Sequence, residues 1–371
     1  MHGPTASTPP AVRRLLVPIL GLLLVATTAA CGSSDGGEGS GGPSTTRPTL
    51  PTTTPSGPTT TVPSTDPAAY PVTIDHALGS TTIEAPPERI AAVGLTDQDV
   101  LLALGVLPVL TVEWFAEQPG AIFPWAADEA EALGGVDDIV VLDPNSGIAA
   151  EQVAVAEPDL IVGLYGAITE DQYAELSKIA PTVVQPPGPG YSISWQDQTL
   201  TMGTIVGKRA FAEKLVAQTE EAIAAVRDAH PELEGRTGIM VAPYEGIFVY
   251  GSHDPRGRVL EELGLVIPDE LDAVATGPSA GQLSLENADL LDVDVVIWLE
   301  QGPPEGDVGG PIYRQLGLAD EGRELRIDGN DDVFGQALSF QTVLSYPYLL
   351  GELADRLSAA VDGDPATTVG G

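Results

Sequence analysis

Glu151-Gln152-Val153-Ala154-Val155-Ala156-Glu157-Pro158-Asp159-Leu160-Ile161-Val162 returns, in altered form, as Glu286-Asn287-Ala288-Asp289-Leu290-Leu291-Asp292-Val293-Asp294-Val295-Val296-Ile297. Each copy opens on a glutamate, runs through a short helical piece, places an aspartate eight positions on, and ends in an apolar strand. Such a uniformly apolar strand is buried on both faces, as in a parallel sheet covered by helices. One supersecondary unit occurring twice in a chain implies two similar lobes.

The flanking sequence extends the scheme. Residues 89–95 read as a buried strand, and Thr96-Asp97-Gln98-Asp99 as a helix start of the capping-box type. The helix over 100–104 stops at Gly105, and 107–112 is the next strand. Residues 159–164 and 181–184 are further short apolar runs. Around the second copy, 238–242 is a strand, and 258–265 echoes 101–106. Strands alternating with helices give βαβ units and parallel sheets. Between the copies, 195–229 carries one helical pattern through Ile205, Phe211, Leu215, Val216, Ile223 and Val226, with Gly203 and Gly207 as weak points. A helix of roughly 30 residues spans about 45 Å, enough to cross between lobes. The predicted fold class is α/β: two Rossmann-like lobes (71–194 and 231–362) joined by a single long α-helix (195–230), with the ligand cleft between them. Residues 363–371 read as a loose tail.

Composition narrows the function. The chain has 371 residues, 43% of them hydrophobic, so it has material for a sizeable core. Lys plus Arg number 16 against 53 Asp plus Glu, a net charge of −37. That balance excludes nucleic acid as a partner, and a polybasic membrane-surface protein with it. A single cysteine excludes a disulfide framework and a cysteine-based zinc site, and four histidines leave little for a histidine-rich one.

The N-terminus reads as a targeting segment. Arg13-Arg14 precede the apolar run 15–25, then Ala26-Thr27-Thr28-Ala29-Ala30 and Cys31. A charged start, a short apolar stretch and small residues before the cleavage point define a secretory signal over 1–30. The run is shorter than the roughly 20 residues of a spanning helix. Cys31, the sole cysteine, stands where a bacterial lipobox places its lipidated residue, with Thr28 where that box usually has Leu. An ordinary signal peptide with a chance cysteine is the alternative. Processing would leave 53 acids and 14 bases, a net charge of −39. Residues 31–70, nearly all Gly, Ser, Thr and Pro, read as a disordered tether from a lipid anchor to the folded body.

Taken together, signal, lipobox, tether, lobe, connecting helix and second lobe resemble the iron-siderophore/cobalamin class of ABC-transporter substrate-binding lipoproteins. Pro87-Glu88-Arg89-Ile90 through Leu101-Leu102-Ala103-Leu104-Gly105 looks like that family's opening unit. Glu151 through Pro158-Asp159-Leu160-Ile161 looks like its glutamate-to-PDLI signature. Ser284-Leu285-Glu286 through Asp294-Val295-Val296-Ile297 looks like the second-lobe counterpart, with Val293 where Pro is usual. The resemblance covers about residues 72–360. It implies a monomeric receptor outside the cytoplasmic membrane, not an enzyme, that captures a ferric siderophore and needs no cofactor. It also implies one docking glutamate per lobe, Glu151 and Glu286, each meeting an arginine of a dimeric permease. Read locally, each glutamate only charges a helix N-terminus. Cobalamin or haem capture in the same fold, and a secreted α/β enzyme or cell-envelope adaptor, stay open.

In open α/β sheets ligands meet the carboxyl ends of strands. Residues there include Trp114, Phe115, Tyr165, Tyr244, Tyr250 and Trp298, in a chain only 5% aromatic. Flat amphipathic rings suit a large, partly apolar chelate. Arg256 and Arg258 could pair with anionic groups of a chelate or with local acids. A strongly anionic chelate meets a repulsive field at this net charge, which favours a neutral or cationic one such as a ferric hydroxamate unless local arginines override it. His76 and His253 stand in different contexts, and direct metal ligation is not expected. No nucleophile elbow or phosphate-binding glycine loop is present.

Overall fold

The computed structural model describes residues 62–113, 118–142, 147–244, 246–275, 280–300, 308–330 and 333–367. A hairpin of β1 (Val72–His76) and β2 (Gly79–Ile83) precedes the first lobe. It is fastened to that lobe's sheet: Thr81 Oγ1 donates to the Thr182 carbonyl at 2.6 Å, and Ala77 N–H to the Gln185 carbonyl at 2.8 Å. His76 is a structural residue of this hairpin. Its ring bonds Thr81 Oγ1 at 3.0 Å, and burial lowers its pKa, keeping it neutral.

The first sheet is parallel, in the order β5-β4-β3-β6-β7, from β3 (Ile90–Ala92), β4 (Leu110–Val112), β5 (Val140–Leu142), β6 (Leu160–Gly163) and β7 (Thr182–Val184). Helices α1 (Asp97–Ala103), α2 (Ala127–Ala132), α3 (Ala150–Val155) and α4 (Glu170–Leu176) connect them. Alternate residues of the strands feed two cores. Ile90, Ala92, Leu160 and Val162 face one side, and Ala91, Leu110, Val112 and Ile161 the other.

The second sheet, order β10-β9-β8-β11-β12, departs from the expected replay. β8 (Gly238–Pro243), β11 (Val295–Glu300) and β12 (Glu324–Asp328) are parallel. β9 (Ile247–Tyr250) is antiparallel to both β8 and β10 (Ala280–Leu283). The helices of this half are α7 (Pro255–Glu262), α8 (Asp269–Asp272), α9 (Gly310–Gln315), α10 (Val333–Ser339) and α11 (Ser345–Val361).

The two repeated aspartates do the same job in each lobe. Asp159 accepts the Glu88 and Arg89 N–H groups at 2.8 and 2.9 Å, just before β3. Asp294 accepts from the N–H and hydroxyl of Thr237 at 2.7 and 2.8 Å, just before β8. Each carboxylate thus ties the start of its own strand to the start of a neighbouring one.

The helical stretch between the lobes is two helices, α5 (Trp195–Ile205) and α6 (Arg209–Ala229). Gly207, at φ 66°, turns the chain between them, and any side chain there would press on Thr65 and Tyr70. Gly203 lets the helices touch, since a Cβ would lie 2.4 Å from that of Ala212. Of the expected long helix, α6 alone makes the crossing. Its 21 residues span about 32 Å. Phe211 and Ala212 join the first lobe's core, and Val216 and Ile223 the second's.

A second contact joins the lobes. Asp99 of α1 accepts from Thr342 Oγ1 at 2.8 Å and from Trp125 Nε1 at 2.7 Å, and Leu344 packs against Leu102, Ile122 and Ala126. The capping box expected at Thr96–Asp99 is therefore absent. Thr96 makes no cap bond, its hydroxyl accepts from Gln198 Nε2 at 2.9 Å, and Asp99 is turned to the other lobe.

Candidate ligand-binding site

Between the lobes, aromatic rings and two arginines converge. Tyr165 follows β6 and is buried at 3% exposure. Its ring meets Phe340 edge-on at 5.7 Å and Tyr191 at 5.6 Å. Its hydroxyl has no hydrogen-bond partner, and burial raises its pKa, keeping it protonated. A buried hydroxyl left unsatisfied costs free energy unless something completes it.

The backbone around Tyr165 is held by Asp97, fully buried at the start of α1. Asp97 accepts from the N–H groups of Leu164 and Tyr165 at 2.8 and 3.3 Å and from Gln198 Nε2 at 2.7 Å. Burial raises its pKa, and these donors pull the other way. Gly94 is required here, because a Cβ would lie 2.3 Å from the Asp97 carboxylate.

From the second lobe, α7 presents its first turn. Asp254 caps it, accepting from Arg256 N–H at 2.9 Å, and also binds the Arg256 guanidinium through two bonds of 2.6 and 2.7 Å. That guanidinium lies 3.8 Å over the Tyr250 ring and 5.4 Å from that of Phe340. Burial works against its charge, but the Asp254 carboxylate leaves its pKa above the ordinary arginine value. Arg258 donates to the carbonyls of Ile193 and Ser192 at 3.2 and 2.6 Å and of His253 at 2.7 Å, so it clips the two lobes together. Glu262 adds a second tie, accepting from Trp195 Nε1 at 3.0 Å and from the Tyr346 hydroxyl.

The cavity enclosed by Tyr165, Arg258, Phe340, Gln341 and Trp195 is about 10 Å³, near the volume one water needs. A shallower hollow of about 200 Å³ opens beside it, with Tyr165 and Tyr191 in its wall. No group of three or more His, Cys, Asp or Glu able to hold a metal exists among the described residues.

Several expected positions separate at this point. Tyr165, Arg256 and Arg258 come together. Tyr250 supports Arg256 from beneath; because β9 runs back along β8, Tyr250 pairs with Met240 inside the sheet and is not at a carboxyl edge. Tyr244 follows β8 and is 62% exposed, packed edge-on against Phe248. Trp298 is corrected: it is fully buried and is not a cleft residue. β11 continues to Glu300, and strand alternation turns Trp298 with Val296 into the outer core, where Nε1 donates to Tyr313 Oη at 2.8 Å. Trp114, Phe115 and Cys31 lie outside the described residues. Glu151 and Glu286 are both exposed, each in the first turn of a short helical piece, α3 and the 3₁₀ segment Leu285–Leu291. Tyr191, Phe340 and Gln341 were not legible as site residues.

The family model "Periplasmic binding protein" matches residues 90–316, from β3 through the connector to α9 of the second lobe. The chain belongs to this family. A periplasmic solute-binding protein of Mycobacterium smegmatis is 31% identical with a TM-score of 0.65, over 78% of this chain and 98% of its own. PiaA of Streptococcus pneumoniae, solved in complex with ferrichrome, is 26% identical with a TM-score of 0.69, over 79% of this chain and 99% of its own. The ferric-anguibactin-binding protein FatB of Vibrio anguillarum is 25% identical over 71% of this chain and 82% of its own. Yet the chain spans only 58% of a probable siderophore-binding lipoprotein of Bacillus subtilis, YfiY, at 27% identity. Periplasmic binding proteins capture solutes and are not enzymes, and their binding needs no cofactor.

Proposed function

We propose that this protein is an exported, lipid-anchored receptor that captures a ferric siderophore between its lobes and delivers it to an ABC permease. The observation that carries the reading is the buried Tyr165 hydroxyl, unpartnered within an aromatic and arginine cluster where the two lobes meet. Large chelates bind such surfaces through rings and a few placed polar groups. The cavity is smaller than the few hundred Å³ a small ligand needs, so capture requires the Phe340 and Arg258 contacts to part. FatB is named for ferric-anguibactin binding and PiaA was solved with ferrichrome, which supports the same ligand class here.

Docking through Glu151 and Glu286 is supported by their matched positions and exposure. Lipidation of Cys31 is supported by its place after Ala29-Ala30. The test is a fluorescence titration of the purified protein, in which Trp195 beside the cavity reports. Saturable quenching by a ferric siderophore, with the chelate recovered unchanged, is expected. Indifference to every ferric chelate, or saturation by haem or cobalamin alone, would overturn the ligand assignment.

A further inference from the structure

We infer that the site takes ferric chelates without net negative charge, of the tris-hydroxamate kind, and rejects trianionic ones such as tris-catecholates. This rests on the reading of the protein as a ferric-chelate receptor and narrows it.

The supply of cations decides the matter first. In the first lobe, the described residues after the strands are 93–96, 113, 118, 147–149, 164–169 and 185–194. In the second, those at the same edge of the sheet are 244, 246, 284–286, 308–309 and 329–330. Together they contain Glu113 and Glu286 and no lysine, arginine or histidine. Among the described residues, the arginines at the junction of the lobes are Arg256 and Arg258 of α7, and Arg256 is already matched by both oxygens of Asp254. Arg258 spends its donors on three neutral carbonyls and forms no ion pair among the described residues. Among the described residues at this junction, one arginine unmatched by a carboxylate therefore stands against the three negative charges that a ferric tris-catecholate carries. Three hydroxamates, each a monoanion, cancel the charge of ferric ion and leave nothing to neutralise.

The polar groups left unpartnered fit the same conclusion. Tyr165 Oη and Gln341 Oε1 line one cavity, are buried at 3% and 5% residue exposure, and lack hydrogen-bond partners. Both are neutral. The hydroxyl donates to a chelate oxygen, and the amide oxygen accepts from an N–H of the chelate's backbone. Neutral hydrogen bonding on aromatic walls is complementary to an electroneutral surface, whereas an anion in this acidic surround meets like charge, which costs several kcal/mol at an interface.

The experiment compares three probes on the purified full chain at low and high salt: ferrichrome (neutral), ferrioxamine B (cationic) and ferric enterobactin (trianionic). Ferrichrome or ferrioxamine B is expected to saturate, with ferric enterobactin about 100-fold weaker at low salt and gaining as salt screens repulsion. The ferrichrome affinity should not change with salt. Enterobactin affinity within ten-fold of the better hydroxamate would overturn this inference and leave the receptor reading intact. Quenching by none of the three would overturn this inference, and indifference to every ferric chelate would overturn both.

Discussion

A single hydroxyl separates ligand binding from folding in this molecule. Tyr165 Oη bonds nothing in the protein, so Tyr165→Phe should leave the melting temperature near wild type. Ferric-siderophore affinity should fall about ten-fold, roughly one hydrogen bond. Asp99 behaves in the opposite way. Burial lifts its pKa to about 6 against the pull of Trp125 and Thr342, with Glu129 adding to the rise, and Oδ1 has no partner. The native state thus binds this proton more tightly than the unfolded chain, whose carboxyl has the ordinary value of 3.8. Stability falls as pH rises through about 4 to 6, and the whole penalty is present above that window. A two-unit shift corresponds to ~3 kcal/mol. Asp99→Asn should gain on wild type in melting temperature as pH goes from about 4 to 7. A constant difference across that range would show that Asp99 is not strained by burial. At this scale the sequence was legible only where position along a strand marks a residue. Tyr165 follows an apolar run. Tyr191 sits in a left-handed turn (φ 58°) within a Gly-Pro loop, and Phe340 and Gln341 arrive from a loop beyond α10, with no local pattern to flag them.

Among the elements, α5 and α6 show how one helical period can hide two helices. The apolar spacing runs through both, because each buries a face in the same first-lobe core. The turn is set by Gly207, and the close crossing by Gly203 against Ala212. Gly203→Val should force the helices apart and cost ~2–3 kcal/mol by denaturant unfolding, on the scale of overpacking. A loss below ~0.5 kcal/mol would mean that the pair relaxes freely. Periodicity reports which face is buried, not whether the axis continues. The duplicated aspartate was legible as a repeat, yet its role was not. Asp159 and Asp294 hold backbone N–H groups far away in sequence, at Arg89 and Thr237, and only the folded sheet brings them together.

For the whole molecule, two lobes and a connector were readable because duplication leaves a long-range signal that needs no contact information. The antiparallel β9 was not, since a short apolar strand carries no mark of its direction. The same duplication argues for the docking pair. Glu151 and Glu286 are exposed and line neither the cavity nor the hollow beside Tyr165, so Glu151→Ala/Glu286→Ala should leave folding and solution affinity near wild type. Uptake of the iron chelate by cells carrying the double variant should fall severely, since truncating desolvated interfacial ion pairs costs 2–5 kcal/mol, far more than an exposed helix-terminal charge. Normal uptake would reduce both residues to helix-end charges.

The entry of the chain into the first lobe has a mechanical consequence. Val62 lies where a side chain on Gly105 would be, at the C-terminal end of α1, and Asp66 N–H donates to the Gly207 carbonyl at 3.1 Å. Both contacts are at the edge of the sheet away from the strand exits, whereas Glu151 and Glu286 begin helical pieces on the exit side. Under the proposed anchor at Cys31, the body would hang by its far end and would have to somersault to present its mouth to the proposed permease. The rope has to pass a lobe about 35 Å across. The 30 residues between Cys31 and Val62 reach at most about 100 Å when fully extended, which suffices. Deleting residues 40–61 leaves eight, reaching about 30 Å, which does not. That shortened chain should stay membrane-bound and bind its chelate normally while uptake stops, and uptake at the wild-type rate would show that the receptor reaches its transporter the right way up.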